Sequence, residues 1–385
     1  MSRNTGLIFI VILVSVFNFS MPAAFAQTNP NEEIKNKDKP LKGEWDFQLR
    51  KTWETYNAGD DILLQVSDIK VADDDRVYLY DLKYHKFFVF SPEGEFLFAF
   101  GKQGEGPGEY KMVFNFFLEG KYVIVPEMGR FHYFTMDGKY VRTNNPGVMI
   151  FPRNFIDENR FITIQEQENG KGKPEKLQIF DLTSKERTTL AEVTAEKALT
   201  ASAGGMRLVL KDSSSTPSIV AGVRNNEIYY GKSDKYLIKK IDFKGKESLK
   251  FSIQGRERKK IPTAVKRKRF DNLRINNRKP SKEMVDQLIK GMPDYCTYFS
   301  RILIDENGLV YIFVNDMTND TGQEIDIFSP QGKYLYHSHV TLPEGLRWQT
   351  PYEFEGNNLY IFTEDEEGEK KLVKYKIVKP SLGGA

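Results

Sequence analysis

Between Asp68 and Tyr110, apolar and polar residues alternate in three short runs, RVYLYD, KFFVF and EFLFAF, rich in β-branched and aromatic side chains. Asp-rich, Tyr-His-Lys and Ser-Pro-Glu-Gly segments separate the runs and suit turns. A period of two over such short lengths predicts strands in an antiparallel meander. Two turn signatures then recur along the chain. An acidic or Asn-containing turn precedes a strand at Asp73 to Arg76, Leu118 to Lys121, Ile156 to Arg160, Arg224 to Glu227, Asp305 to Leu309 and Phe354 to Asn358. The strands that follow are VYLYD, YVIVPE, FITIQE, IYYGK, VYIFVND and LYIFTED. An aromatic-led turn, usually closed by Gly, starts at Phe90, Phe134, Phe180, Ile241 and Phe328, with a degraded copy near Asp365 to Lys370.

A repeat of about 40 to 50 residues built from short strands cannot bury its faces alone and stacks radially around an axis. Six copies predict an all-β fold, a six-bladed β-propeller. The stretch VADDDRVYLYDLKYHKFFVFSPEGEFLFAFGKQGEGPGEY resembles an NHL repeat: an aspartate turn, a V-Y-V-A-D-like strand, and then F-G-x-x-G-x-G-P-G-x-F. The resemblance is close over the first blade and partial over Ile304 to Tyr334. Elsewhere only the turn and strand rhythm persists, so it points to the six-bladed superfamily. Members of that superfamily are mostly binding platforms, while some are lactonases, synthases or lyases, so the fold leaves function open.

The chain begins as a targeting segment. Arg3 gives a positive start, Leu7 to Phe17 is apolar, and Ala24-Phe25-Ala26 offers a cleavage site, so residues 1–26 are expected to be a signal peptide. With no cysteine at that site, the expectation is an exported protein, periplasmic or secreted, with no transmembrane segment after cleavage. Residues 27–42 are polar and Pro-containing and predict a disordered spacer. The propeller is expected over 43–380 and a short tail over 381–385. Glu44 to Tyr56 alternates like a strand without a local partner, and the last repeat lacks an outer strand after Ile377. Pairing of the two would close the ring and remove an exposed edge. Ala195 to Pro217 is expected to be an outer strand with a flexible loop.

The strand rhythm breaks between Gly255 and Pro293, which predicts a helical basic insertion at about 256–293, between blades four and five. Ser281 as N-cap, Met284, Val285, Leu288 and Ile289 on one face, and Gly291 with Pro293 as stop signals predict a helix. Arg256 to Lys282 holds twelve Lys or Arg against two acids, in a chain whose formal net charge is only +3, so the rest is acidic. Lys259, Lys260, Lys266, Arg267, Lys268 and Arg269 are expected to form an exposed surface for an anionic partner. For an exported chain the expected partner is an acidic polysaccharide, lipid head groups or an acidic protein, with nucleic acid not expected.

Candidate chemistry is sparse. The single cysteine, Cys296, excludes an internal disulfide and is expected to be a small buried hydrophobe. His85 and His132 hold equivalent repeat positions, which suits blade packing. His337 and His339 could make half a metal site, with no third ligand identifiable. The Asp73–Asp75 run and the Asn315 to Asp320 segment do not fit a calcium-loop spacing. The resemblance to lactonase-like propellers implies a divalent ion held by Glu, Asn and Asp at the channel mouth, but no such ligands map onto this chain. No G-x-S-x-G is present. No catalytic or cofactor residue is therefore nominated. The expected function is a non-catalytic binding or scaffolding module. The alternative is a metal-dependent propeller hydrolase or lyase, with a divalent metal possible in the central channel.

Overall fold

A computed structural model of the 385-residue chain describes residues 32–45, 47–127, 129–165, 174–194, 199–203, 206–210, 214–224, 226–271, 273, 279–319, 322–343, 351–364 and 367–378. Six antiparallel sheets form six blades. Blade one comprises Val66–Val71, Val77–Asp81, Lys86–Phe90 and Phe96–Phe100. Blades two to five repeat that order, starting at Phe117–Glu119, Pro152–Phe155, Ile219–Arg224 and Phe299–Ile304. Blade six has three strands of its own, beginning at Tyr352–Glu355, and takes its outer strand from the start of the chain. There Gln48–Thr55 pairs antiparallel with Lys370–Val378. The ring is thus closed by the pairing expected from the unpartnered Glu44–Tyr56 segment.

The repeat motif has a packing reason. Each second strand is sandwiched on both faces; Val77, Tyr78, Leu79 and Tyr80 are completely buried. The glycine of the aromatic-led turn has φ +89° at Gly94 and +77° at Gly138, a left-handed conformation that favours glycine. A Cβ there would also collide with the preceding blade, 2.6 Å from the Trp53 ring at Gly94 and 2.5 Å from the Phe100 ring at Gly138. The turn is therefore the place where one blade abuts the next.

Part of the expected spacer is ordered, which corrects the 27–42 boundary. Ile34–Lys37 adds in parallel to the outer strand of blade four, Glu247–Gln254. Leu41 and Lys42 donate backbone hydrogen bonds to Tyr334 and Leu335 of blade five, and Trp45 donates to His337. The Asn36 side chain donates to the Ser252 and Gly332 carbonyls at 3.1 and 2.9 Å and accepts from the Tyr334 N–H at 3.0 Å. Residues 34–45 and 47–55 thus run as a strap over the outer edges of blades four, five and six. Polar composition did not reveal it because the strap is held by backbone pairing and one buried amide.

The break in rhythm between blades four and five holds two helices, α1 (Thr263–Asp271) and α2 (Lys282–Gly291). The Ser281 hydroxyl caps α2, accepting from the Met284 N–H at 3.2 Å. Met284 and Leu288 pack with Phe270, Met292, Leu199 and Ala201 in a small core of their own. Leu199 and Ala201 belong to a hairpin, Leu199–Ala203 with Met206–Leu210, so the outer strand expected there is a separate two-stranded element docked on α2. Among the described residues no helix is long and apolar enough to cross a membrane.

Candidate functional site: the channel mouth

The first strands of the blades line a central channel with a volume of about 790 Å³. Its wall carries opposed charges at close range. Lys70 Nζ lies 3.0 Å from Asp68 Oδ1 and 3.4 Å from Glu353 Oε2, and Arg301 Nη2 lies 3.3 Å from both Glu353 oxygens. The Phe116 N–H donates to Asp68 Oδ2 at 3.0 Å. Burial raises the Asp68 carboxyl, against the pull of Lys70. Burial works against the charge on Lys70 too, but Asp68 and Glu353 more than offset it and its pKa is raised. The four groups neutralise one another as two cations and two carboxylates. Glu119 and Glu355, at the far ends of their first strands, are pushed up by burial and by neighbouring carboxylates.

Every first strand runs in the same direction along the channel, so the connections that enter these strands emerge on one face. On blades two and three those connections present large apolar side chains to solvent: Met112 is 49% exposed, Phe114 64%, Val148 41%, Met149 61% and Phe151 58%. The two connections are neighbours. The Phe117 and Phe155 rings of the two first strands lie 5.1 Å apart, and a Cβ on Gly129 of blade two would sit 3.0 Å from the Val148 carbonyl. Arg153 is exposed and lines the channel two residues past Phe151. Among the described residues its side chain has no ion pair or hydrogen bond.

The six basic residues nominated from sequence do not form one exposed surface. Lys266 is 6% exposed and points inward, its Nζ donating to Asp294 Oδ1 at 2.8 Å and to the Met292 carbonyl at 3.1 Å. Burial is tolerated because the ammonium is paired, a case composition cannot show. Lys259 reaches across to Glu324 of blade five at 2.7 Å, and Arg267 to Asp286 of α2 at 3.2 Å. Lys260, Arg267, Lys268 and Arg269 remain exposed. Lys266→Gln is expected to cost about 1–3 kcal/mol of unfolding free energy, because the buried Met292 carbonyl loses its partner. Arg267→Gln, on an exposed pair, is expected to stay within about 0.5 kcal/mol. Urea denaturation of the two variants checks the contrast.

His85 and His132 do not hold equivalent positions: His85 sits in the turn before Lys86–Phe90 with φ +53°, whereas His132 lies within the strand Arg130–Thr135. His132 is buried, with Nδ1 3.0 Å from Thr143 Oγ1 and Nε2 3.4 Å from Glu127 Oε2, and burial lowers its pKa. His337 Nδ1 lies 2.9 Å from Asp326 Oδ1, so it is engaged with a buried carboxylate. Cys296 is fully buried, as expected. Among the described residues no group of three or more His, Cys, Asp or Glu is placed to hold a metal ion. The channel-mouth residues were missed because MVFNFF and VMIFPR look like core strands; nothing local separates exposed Phe114 from buried Phe116.

No curated protein matches the chain. Among solved structures, a protein carrying the name of an exported protein of Bacteroides fragilis superposes with a TM-score of 0.52 at 13% identity, covering 90% of this chain and 99% of its own. A member of the DUF4221 family from Bacteroides vulgatus gives a TM-score of 0.57 at 12% identity, over 88% and 99%. At such identities the likeness shows the fold alone. Over residues 54–279 the sequence matches the model of the DUF5128 family, described as a 6-bladed beta-propeller, and since this is more than half of the chain, the protein belongs to that family.

Proposed function

We propose that the protein is an exported, non-catalytic binding module that receives a protein partner on the face carrying the channel mouth. One observation carries this reading: five large apolar side chains stand exposed on the two neighbouring connections that lead into the channel-lining strands of blades two and three. Burial of such groups is worth roughly 25 cal/mol per Å² of apolar surface, and contiguous exposed patches mark interaction sites. The aromatic and Met content is what binding surfaces use for anchors. The exposed cations Lys260, Arg267, Lys268 and Arg269 belong to the insertion entering blade five, which emerges on the same face. They supply a positive field for an acidic partner, screened over about 8 Å at physiological salt.

A photo-crosslinking residue at position 149 tests the face. In the producing cell it is expected to yield one discrete protein adduct, whereas the same residue at position 137, on the opposite face, yields none. Equal adducts from both positions, or none from 149, would overturn the reading.

A further inference from the structure

We infer that the segment received at this mouth is acidic as well as apolar, a stretch of protein whose apolar side chains sit on Phe114, Met149 and Phe151 while a carboxylate pairs with Arg153. The inference rests on the binding reading above and adds the chemistry of the occupant.

Both rims are pinned, so the exposed rings are presented and not merely left over. Ile150 and Pro152 flank Phe151 and are buried, and the Phe151 carbonyl accepts from Thr163 Oγ1 at 2.9 Å. On the neighbouring rim Val113 and Phe116 bracket Phe114 and are buried, while the Lys111 and Met112 N–H groups both donate to the Glu127 carboxylate. A surface held in place loses little conformational freedom on binding, which favours affinity. The charge requirement comes from Arg153. Lys70 and Arg301 are already matched by Asp68 and Glu353, whereas Arg153 stands at the lip without a partner among the described residues. An anion brought in beside the Phe151 ring would meet a guanidinium in surroundings partly emptied of water, where a charge-assisted hydrogen bond gains strength. A cationic segment would meet the same guanidinium as repulsion.

Three fluorescein-labelled peptides of equal length test this by anisotropy at low salt: Leu with Glu, Leu with Lys, and Ser with Glu. The Leu–Glu peptide is expected to bind about tenfold or more tightly than either other, to weaken about tenfold with Phe151→Ser, and to weaken comparably with Arg153→Gln. Both variants should keep the native melting temperature, since both side chains are exposed. If Leu–Glu and Leu–Lys bind alike and Phe151→Ser weakens both, the charge preference is wrong and the binding face stands. If no peptide binds in a Phe151-dependent way, this inference falls. Phase-separated retention on phosphatidylglycerol vesicles that requires Phe151, without peptide binding, would assign the surface to a lipid headgroup layer and overturn both the inference and the protein-partner reading.

Discussion

Replacing Asp326 by Ala lowers the unfolding free energy by about 3–5 kcal/mol, the cost of breaking a buried ionic network by removing one member. Asp326 is completely buried between blades four and five. Its carboxylate accepts from Tyr236 and Tyr334 hydroxyls at 2.6 Å each, from Arg256 Nη2 at 2.6 Å, and is 2.9 Å from His337 Nδ1. Arg256 is the first residue of the basic insertion, so the same carboxylate ties the insertion to the ring. Burial alone would raise the Asp326 pKa, but the hydrogen bond from His337, the charge of Arg256 and the two tyrosines together hold it below the usual range. The hydrogen bond to Asp326 raises His337, against burial. The signs differ. The Asp326 contribution is present above its unfolded pKa of about 3.9 and is lost as pH falls through the depressed folded value. The His337 contribution is full below about 6.5 and is lost as pH rises through the raised folded value. The stability gap between the native chain and Asp326→Ala is therefore widest between about pH 4 and 6.5 and narrows above it. Urea denaturation across pH checks this; a gap that grows as pH rises from 6 to 8 would contradict it.

A chain beginning at Asp60, without the strap, is expected to lose at least about 5 kcal/mol. Burial of a single large aromatic is worth about 3–5 kcal/mol when truncated, and the strap carries Trp45, Phe47 and Trp53. Trp45 and Phe47 belong to the core shared by blades five and six. Trp53 packs on Tyr360 at 6.2 Å, donates from Nε1 to the Pro92 carbonyl at 2.8 Å, and lies against Gly94. Its loss would leave Lys370–Val378 as an open edge and remove the Trp53 contacts that help join blade six to blade one. A chain beginning at Gly43 keeps the closing strand and loses the Ile34–Lys37 strand, the Asn36 contacts, the Asp38–Arg256 ion pair and the Leu41 and Lys42 backbone hydrogen bonds to blade five, so it should melt between the two. Equal melting of the chain beginning at Asp60 and a chain that keeps the strap would show that closure does not depend on the strap.

Much of this fold is legible in the chain because each blade repeats the same local solution. The acidic turns, the alternating second strands and the turn glycines recur at fixed offsets, and the gap left by blade six names its own filler at the start of the chain. The α2 helix is legible from Ser281 through Gly291 because its cap and its apolar stripe lie in one short window. What the chain hides is held by partners far away in sequence. Ile34–Lys37 joins blade four through backbone groups, which any polar segment carries. Helix α1 has few apolar residues and is held through Ile261 and Phe270, both buried. Lys266 looks like its exposed neighbours until Met292 and Asp294 are brought against it. The channel mouth is hidden for the converse reason: an exposed Phe and a core Phe are the same letter, and only the closed ring tells them apart.

The double replacement Phe114→Ser with Phe151→Ser bears most directly on the channel mouth as a binding face. With the photo-crosslinking residue held at position 149, the predicted result is an unchanged melting temperature together with loss of the protein adduct. A lowered melting temperature would show that the two rings are structural, and an adduct of undiminished yield would show that they are not the surface the partner uses.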